Sequence, residues 1–152
     1  MEINKLPSLL NQVGGQHYKN QRYELAQFSL DVGLNAMIHS AIKYIIRDKN
    51  DKEEDLNKAI HCLEIYADWV ELESPNFINV PFNTYLDFNK VHEFVSQFDY
   101  DVKNALLAIL ALQSQCCVHR DVGEDFSIAL QADINCLKAN LLKAVNDIKD
   151  LK

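Results

Sequence analysis

The sequence predicts an all-α protein: a helical hairpin in the N-terminal half, plus a C-terminal helical bundle with a long heptad-patterned last helix. Three observations predict it. Apolar residues recur at three- and four-residue spacing along most of the chain, and no run alternates with the two-residue period of strands. Only four glycines and three prolines interrupt 152 residues. A chain of this length buries roughly 68–70% of the surface its unfolded form exposes. We divide it into 1–76, the hairpin region, and 77–152, the C-terminal region, and expect the two to pack as one unit.

Residues 1–20 are polar and irregular, with Gly14-Gly15 marking a turn. Tyr23, Ala26, Phe28, Leu30 and Val32 predict a short helix over 22–32 that Gly33 stops. Leu34, Met37, Ile38, Ala41, Ile42 and Ile45 follow a 3.6-residue period and predict a helix over 34–48. After a charged loop, Asp51 followed by Glu54 resembles a capping box with Asp in place of Ser or Thr. It opens a third helix to 73 that buries Leu56, Ile60, Leu63, Ala67 and Val70, with Tyr66 and Trp69 also assigned to the core. The short loop predicts that these two helices form an antiparallel hairpin.

Ser74-Pro75 ends that helix, and 74–86, with Pro81 inside it, reads as a connector. Helices are expected at about 87–98, 100–119 and 125–151. Asp99 is placed to cap the second of these, and Asp121 with Glu124 the third. In the last helix Leu130, Ile134, Leu137, Leu141, Ala144, Ile148 and Leu151 alternate spacings of four and three. Such a seam has two readings. It either docks into its own bundle or forms a homo-oligomer through 125–151, with Leu130, Ile134, Leu137, Leu141 and Ile148 at the interface.

Charge excludes some functions. The chain carries 22 acids against 15 Lys and Arg, a net charge of −7, spread as 12 against 8 over 1–76 and 10 against 7 over 77–152. That balance opposes direct non-specific binding to nucleic acid. The longest apolar run, 105–112, falls far short of the roughly 20 residues that span a bilayer, so no membrane partner is expected. No signal peptide is evident. Cys62, Cys116, Cys117 and Cys136 form no CxxC pair and sit beside apolar residues, which predicts buried free thiols and a cytoplasmic location in the cell that contains the protein.

One segment has a pattern beyond periodicity. His17-Tyr18, Gly33-Leu34, Ile42-Lys43-Tyr44-Ile45-Ile46-Arg47, Asp55-Leu56-Asn57-Lys58-Ala59 and Leu63-Glu64 follow one another in the order and spacing of a family motif. Over 17–66, about a third of the chain, the sequence resembles the SaV-like group of small bacteriophage proteins. That family has no established activity and often carries a nucleotide-kinase label. The resemblance implies a helical fold and a phage source, hence a host cytoplasm. The loop Asp48-Lys49-Asn50-Asp51-Lys52 departs from the family, which has a small, glycine-containing sequence there.

The kinase label finds no support in the residues. A phosphate-cradling loop needs GxxxxGK followed by Ser or Thr, and Gly14-Gly15 is followed by Gln16-His17. The all-α NTP pyrophosphohydrolases resemble this kind of hairpin but hold magnesium with Glu-x-x-Glu and Glu-x-x-Asp, spacings that none of the nine glutamates begins. Glu53, Glu54, Asp55, Glu64 and Asp68 could gather round an ion; as helix-start charges on a solvated face they are also explained. Cys116-Cys117-Val118-His119 has no second Cys/His pair at ligand spacing to complete a zinc site, since His61 and Cys62 are adjacent. No catalytic residue, metal ligand or cofactor is assigned.

His39, Lys43 and Arg47, spaced i, i+4, i+8, line the side of their helix opposite the Ile38–Ile42–Ile45 face. Hairpin pairing brings Asp55 and Lys58 near Arg47. One reading is a pocket for a nucleotide phosphate, with Arg47 as a fork, Lys43 as a point charge, and Tyr18 or Tyr44 stacking on a base beside His17. The other is a salt-bridge set, Arg47 with Asp55 or Asp51, that holds the hairpin. The expected function is a non-enzymatic phage accessory protein that binds, an inhibitor of a host defence system such as an anti-CRISPR protein. It would block the nucleic-acid-binding surface of a host protein complex or sequester a small nucleotide ligand. A metal-dependent enzyme of nucleotide metabolism, of the pyrophosphohydrolase type, is the alternative.

Overall fold

The computed structural model describes residues 6–7, 21–48, 50–73, 86–114 and 126–151, with the side chains of 73, 114 and 126–134 excepted. Among them there are six helices and no strand: α1 (Leu25–Val32), α2 (Ala36–Ile46), α3 (Lys52–Glu73), α4 (Phe88–Val95), α5 (Tyr100–Ser114) and α6 (Phe126–Lys149). The protein is all-α.

The helices start and stop where local chemistry directs. Gly33, at φ 70°, ends α1 in the left-handed conformation that glycine adopts without steric cost, and its N–H returns to Ser29 O. The Asn35 side chain caps α2 by accepting from Met37 N at 2.8 Å. Asp51 caps α3 by accepting from Glu54 N at 3.0 Å, and Asp99 caps α5 by accepting from Val102 N at 3.1 Å. Asp87 accepts from Asn89 N and Lys90 N at the start of α4.

Two helix starts, those of α1 and α2, lie two to three residues inside the ranges expected from sequence, and both have a tertiary cause. The first helix begins at Leu25, after extended Glu24, because the bend at Tyr23 is held from outside: the Tyr23 N–H donates to Gln97 Oε1 at 2.7 Å, and its carbonyl accepts from Gln97 Nε2 at 2.9 Å. The second begins at Ala36 because Gln113 performs the same double contact, accepting from Asn35 N and donating to Gly33 O, both at 2.8 Å. Each bend around α1 is thus satisfied by one amide side chain from the C-terminal half.

One core runs through both halves. Ile38, Ala41, Ile42 and Ile45 of α2 meet Ala59, Leu63 and Tyr66 of α3 and Ala105, Leu106, Ile109 and Leu112 of α5. Beside it, Phe28 stacks on Phe94 at 4.2 Å between ring centroids, with Tyr23 and Phe98 edge-on to the stack. The Tyr23 hydroxyl donates to Asp31 at 2.5 Å, and burial with that contact drives its pKa upward.

From Leu137 to Leu151 the heptad seam faces inward. Leu137, Ala144, Ile148 and Leu151 are buried, Leu141 is half-buried, and α6 packs on α3 and α5. This stretch of the seam is covered within the chain; Leu130 and Ile134 lie outside the side chains described. Trp69, assigned to the core, is 39% exposed: α3 turns its Leu63–Tyr66–Val70 side inward and leaves position 69 at the edge. Cys62 packs against the core, whereas Cys136, also expected to be buried, is exposed. Gly14-Gly15, the connector over 74–85, Cys116-Cys117, His119 and the Asp121/Glu124 cap lie outside the described residues.

Replacing Gln113 by Ala removes the partner of one N–H and one C=O at a half-buried bend. We expect a loss of about 1–3 kcal/mol in urea unfolding. Gln113→Glu, which keeps the acceptor and loses the donor, should fall between wild type and Gln113→Ala.

Candidate functional site

The candidate site is built at the end of the α2–α3 hairpin. Ile38, Ala41, Ile42 and Ile45 commit one face of α2 to the core, and the 3.6-residue period leaves His39, Lys43, Tyr44 and Arg47 half-exposed. Arg47 has extended backbone as the C-cap of α2. Lys52, the first residue of α3, turns back so that its Nζ donates to Ile45 O and to Arg47 O, the latter at 3.3 Å. The ammonium thereby closes the carbonyl end of α2, as cations at helix C-termini do. Burial lowers the pKa of Lys52, opposed by the charges of Asp55 and Asp48.

Asp55 is the buried acid of the hairpin, 3% exposed. Its Oδ2 lies 3.2 Å from Arg47 Nε. Neither atom has a hydrogen bond of normal geometry, so the contact is an ion pair whose N–H is not aligned on the oxygen. We read it as one interaction, because the distance is well within ion-pair range. Lys58 pairs with Glu54 one turn away, and the hydrogen bond from that contact pushes the Lys58 pKa up. Over the Tyr44 ring stand Lys43 Nζ at 5.0 Å, Arg47 Cζ at 5.8 Å and Lys58 Nζ at 5.9 Å from the centroid. Beside them opens a cavity of about 460 Å³ walled by Arg47, Asp48, Asn50, Asp51, Glu54, Asp55 and Lys58. Four carboxylates there face two cations.

The line His39–Lys43–Arg47 divides between three partners. His39 Nδ1 lies 2.6 Å from Ser29 Oγ on α1. With Lys43, Glu24, Leu25 and Ala26 it borders a recess of about 120 Å³. Burial, helped by the Lys43 charge, holds its pKa below the ordinary histidine value. Lys43 covers Tyr44, and Arg47 turns to Asp55. The structure therefore brings Lys43, Tyr44, Arg47, Asp55 and Lys58 together and sets His39 toward α1. His17 and Tyr18 lie outside the described residues.

Sequence reasoning missed Ser29, Lys52 and Asp48. Lys52 had a readable signal: a lysine just past the last carbonyls of a helix, across a loop short enough to fold back. Ser29 had none, because its partner is ten positions away on another helix. Among the described residues, no group of three or more His, Cys, Asp or Glu side chains is arranged to hold a metal ion, and no helix is long and apolar enough to cross a membrane. No protein-family model, curated protein or solved structure matches the chain.

Arg47→Ala strands the Asp55 carboxylate in a buried place. We expect it to cost about 1–3 kcal/mol, below the value for a fully buried pair because Arg47 is partly exposed. The double variant Arg47→Ala/Asp55→Ala should unfold at higher urea than Arg47→Ala alone. A double-mutant cycle that shows no coupling would contradict the pair.

Because His39 has a folded pKa below the ordinary 6.5, the unfolded chain binds more protons there. Its contribution is complete above about pH 6.5 and declines as pH falls through that value toward the lower folded pKa. Urea unfolding at pH 7, 6 and 5 should show the decline, and His39→Gln should flatten it.

Proposed function

We propose that the chain is a non-enzymatic phage accessory protein that inhibits a host defence system. In this reading it presents the acidic end of its α2–α3 hairpin to the nucleic-acid-binding surface of a host complex. The phage setting rests on the resemblance over 17–66. The observation that carries the mode of binding is the charge disposition of the hairpin cavity, where Asp48, Asp51, Glu54 and Asp55 outnumber Arg47 and Lys58. Both cations already have carboxylate partners within the chain.

A nucleotide phosphate entering this cavity would have to displace Asp55 from Arg47 and Glu54 from Lys58, with two further carboxylates nearby. Sequestering a nucleotide signal is therefore the less favoured of the two modes. A basic surface meets no such opposition: the exposed Asp48 and Asp51 are complementary to it, and the net charge of −7 steers the encounter. No specific observation favours the metal-dependent enzyme over binding.

The test is affinity capture from infected host cells, with mass spectrometry of both proteins and nucleotides. Wild type should retain a nucleic-acid-binding complex stripped of its nucleic acid, and release it as salt rises to about 0.5 M. Asp48→Lys with Asp51→Asn should lose it; Asn at 51 keeps the oxygen that caps α3. Co-purification of a nucleotide, equal capture by the variant, or magnesium-dependent loss of an NTP would overturn the proposal.

A further inference from the structure

The first turns of α3 border two cavities on different faces. Positions 54, 55 and 58 share the face that meets the hairpin cavity. Positions 53, 56, 57 and 60 share another, at helical spacings of three, four and seven. With Lys52 and the end of α6 they wall a second cavity of about 550 Å³. Leu56, Ile60 and Leu151 form its apolar part; Lys52, Lys149 and Glu53 supply its charges.

We propose that this second cavity binds a small amphipathic anion, a carboxylate or phosphate carried on an apolar body. Its volume lies within the roughly 300–1,000 Å³ common to small-molecule sites, and its lining sets three apolar side chains beside four polar ones. The charge is the reverse of that in the hairpin cavity. Two lysines face one carboxylate here, in a chain whose overall charge is −7.

Neither lysine is ion-paired among the described residues. Lys52 is held in place by its bonds to Ile45 O and Arg47 O, which use two of its three N–H groups and leave one. Lys149, at the last turn of α6, is exposed and able to close over a headgroup. Half-exposed Ile60, with the remaining exposed edges of Leu56 and Leu151, offers the apolar surface against which the body of the ligand packs.

The experiment titrates the full chain with decanoate and decyl phosphate, below their micellar concentrations. Decanol and decyltrimethylammonium serve as neutral and cationic controls. Calorimetry gives the affinities, and amide chemical shifts locate the site. Both anions should bind at least about tenfold more tightly than decanol, with the ammonium not binding. The shifts should centre on Asn57, Ile60 and Leu151. Lys149→Glu should weaken both anions by about tenfold or more and leave decanol unchanged, while Lys149→Arg retains them.

Whichever anion binds more tightly identifies the headgroup. Equal affinity for anion and neutral probe, no effect of Lys149→Glu, shifts centred elsewhere, or no binding of either anion would each overturn the proposal.

Discussion

Two glutamine amides set the course of the chain. An eight-residue helix such as α1 has little stability of its own, and the bends on either side of it leave backbone groups that no helix can satisfy. Gln97 takes both groups of Tyr23, and Gln113 takes Gly33 O and Asn35 N. An amide presents a donor and an acceptor together, as a peptide unit does, so one side chain completes a bend in two directions. Leucine or glutamate at either position would leave a group unpaired. With the bends fixed, Phe28 is laid flat on Phe94, and α2 starts at the residue that turns its isoleucines into the core.

That dependence explains which parts of the fold were legible in the sequence. Helix identity was readable because apolar spacing acts locally, and the Asp51 and Asp99 caps because each bonds within three residues of itself. The starts of α1 and α2 were not readable. Their cause is a contact between positions 74 to 80 apart in the sequence, which nothing in a local window encodes. The same limit applies to Trp69 and Cys136, since an apolar residue at the margin of a helix face reads like one at its centre.

The candidate site shows the complementary limit. Spacing placed His39, Lys43 and Arg47 on one line, and hairpin pairing placed Asp55 near Arg47. Spacing says nothing of the direction in which a long side chain leans. Lys43 and Arg47 both lie over Tyr44, and Arg47 also reaches Asp55, while His39 meets Ser29 on a helix outside the hairpin. A row of three basic residues therefore does not make one basic surface. The largest group of charges at the hairpin end is acidic, and two of its four carboxylates belong to the loop, Asp48 and Asp51.

Lys52 links the end of α2 to the second cavity beside α3. Lys52 Nζ holds the terminal carbonyls of α2, which fixes where Arg47 leaves the helix and so where it meets Asp55. Lys52 also stands on the wall of the cavity shared with Lys149 and Leu151. Two of its three N–H groups are spent on those carbonyls, so one ammonium both closes α2 and lends its charge to the wall of that cavity.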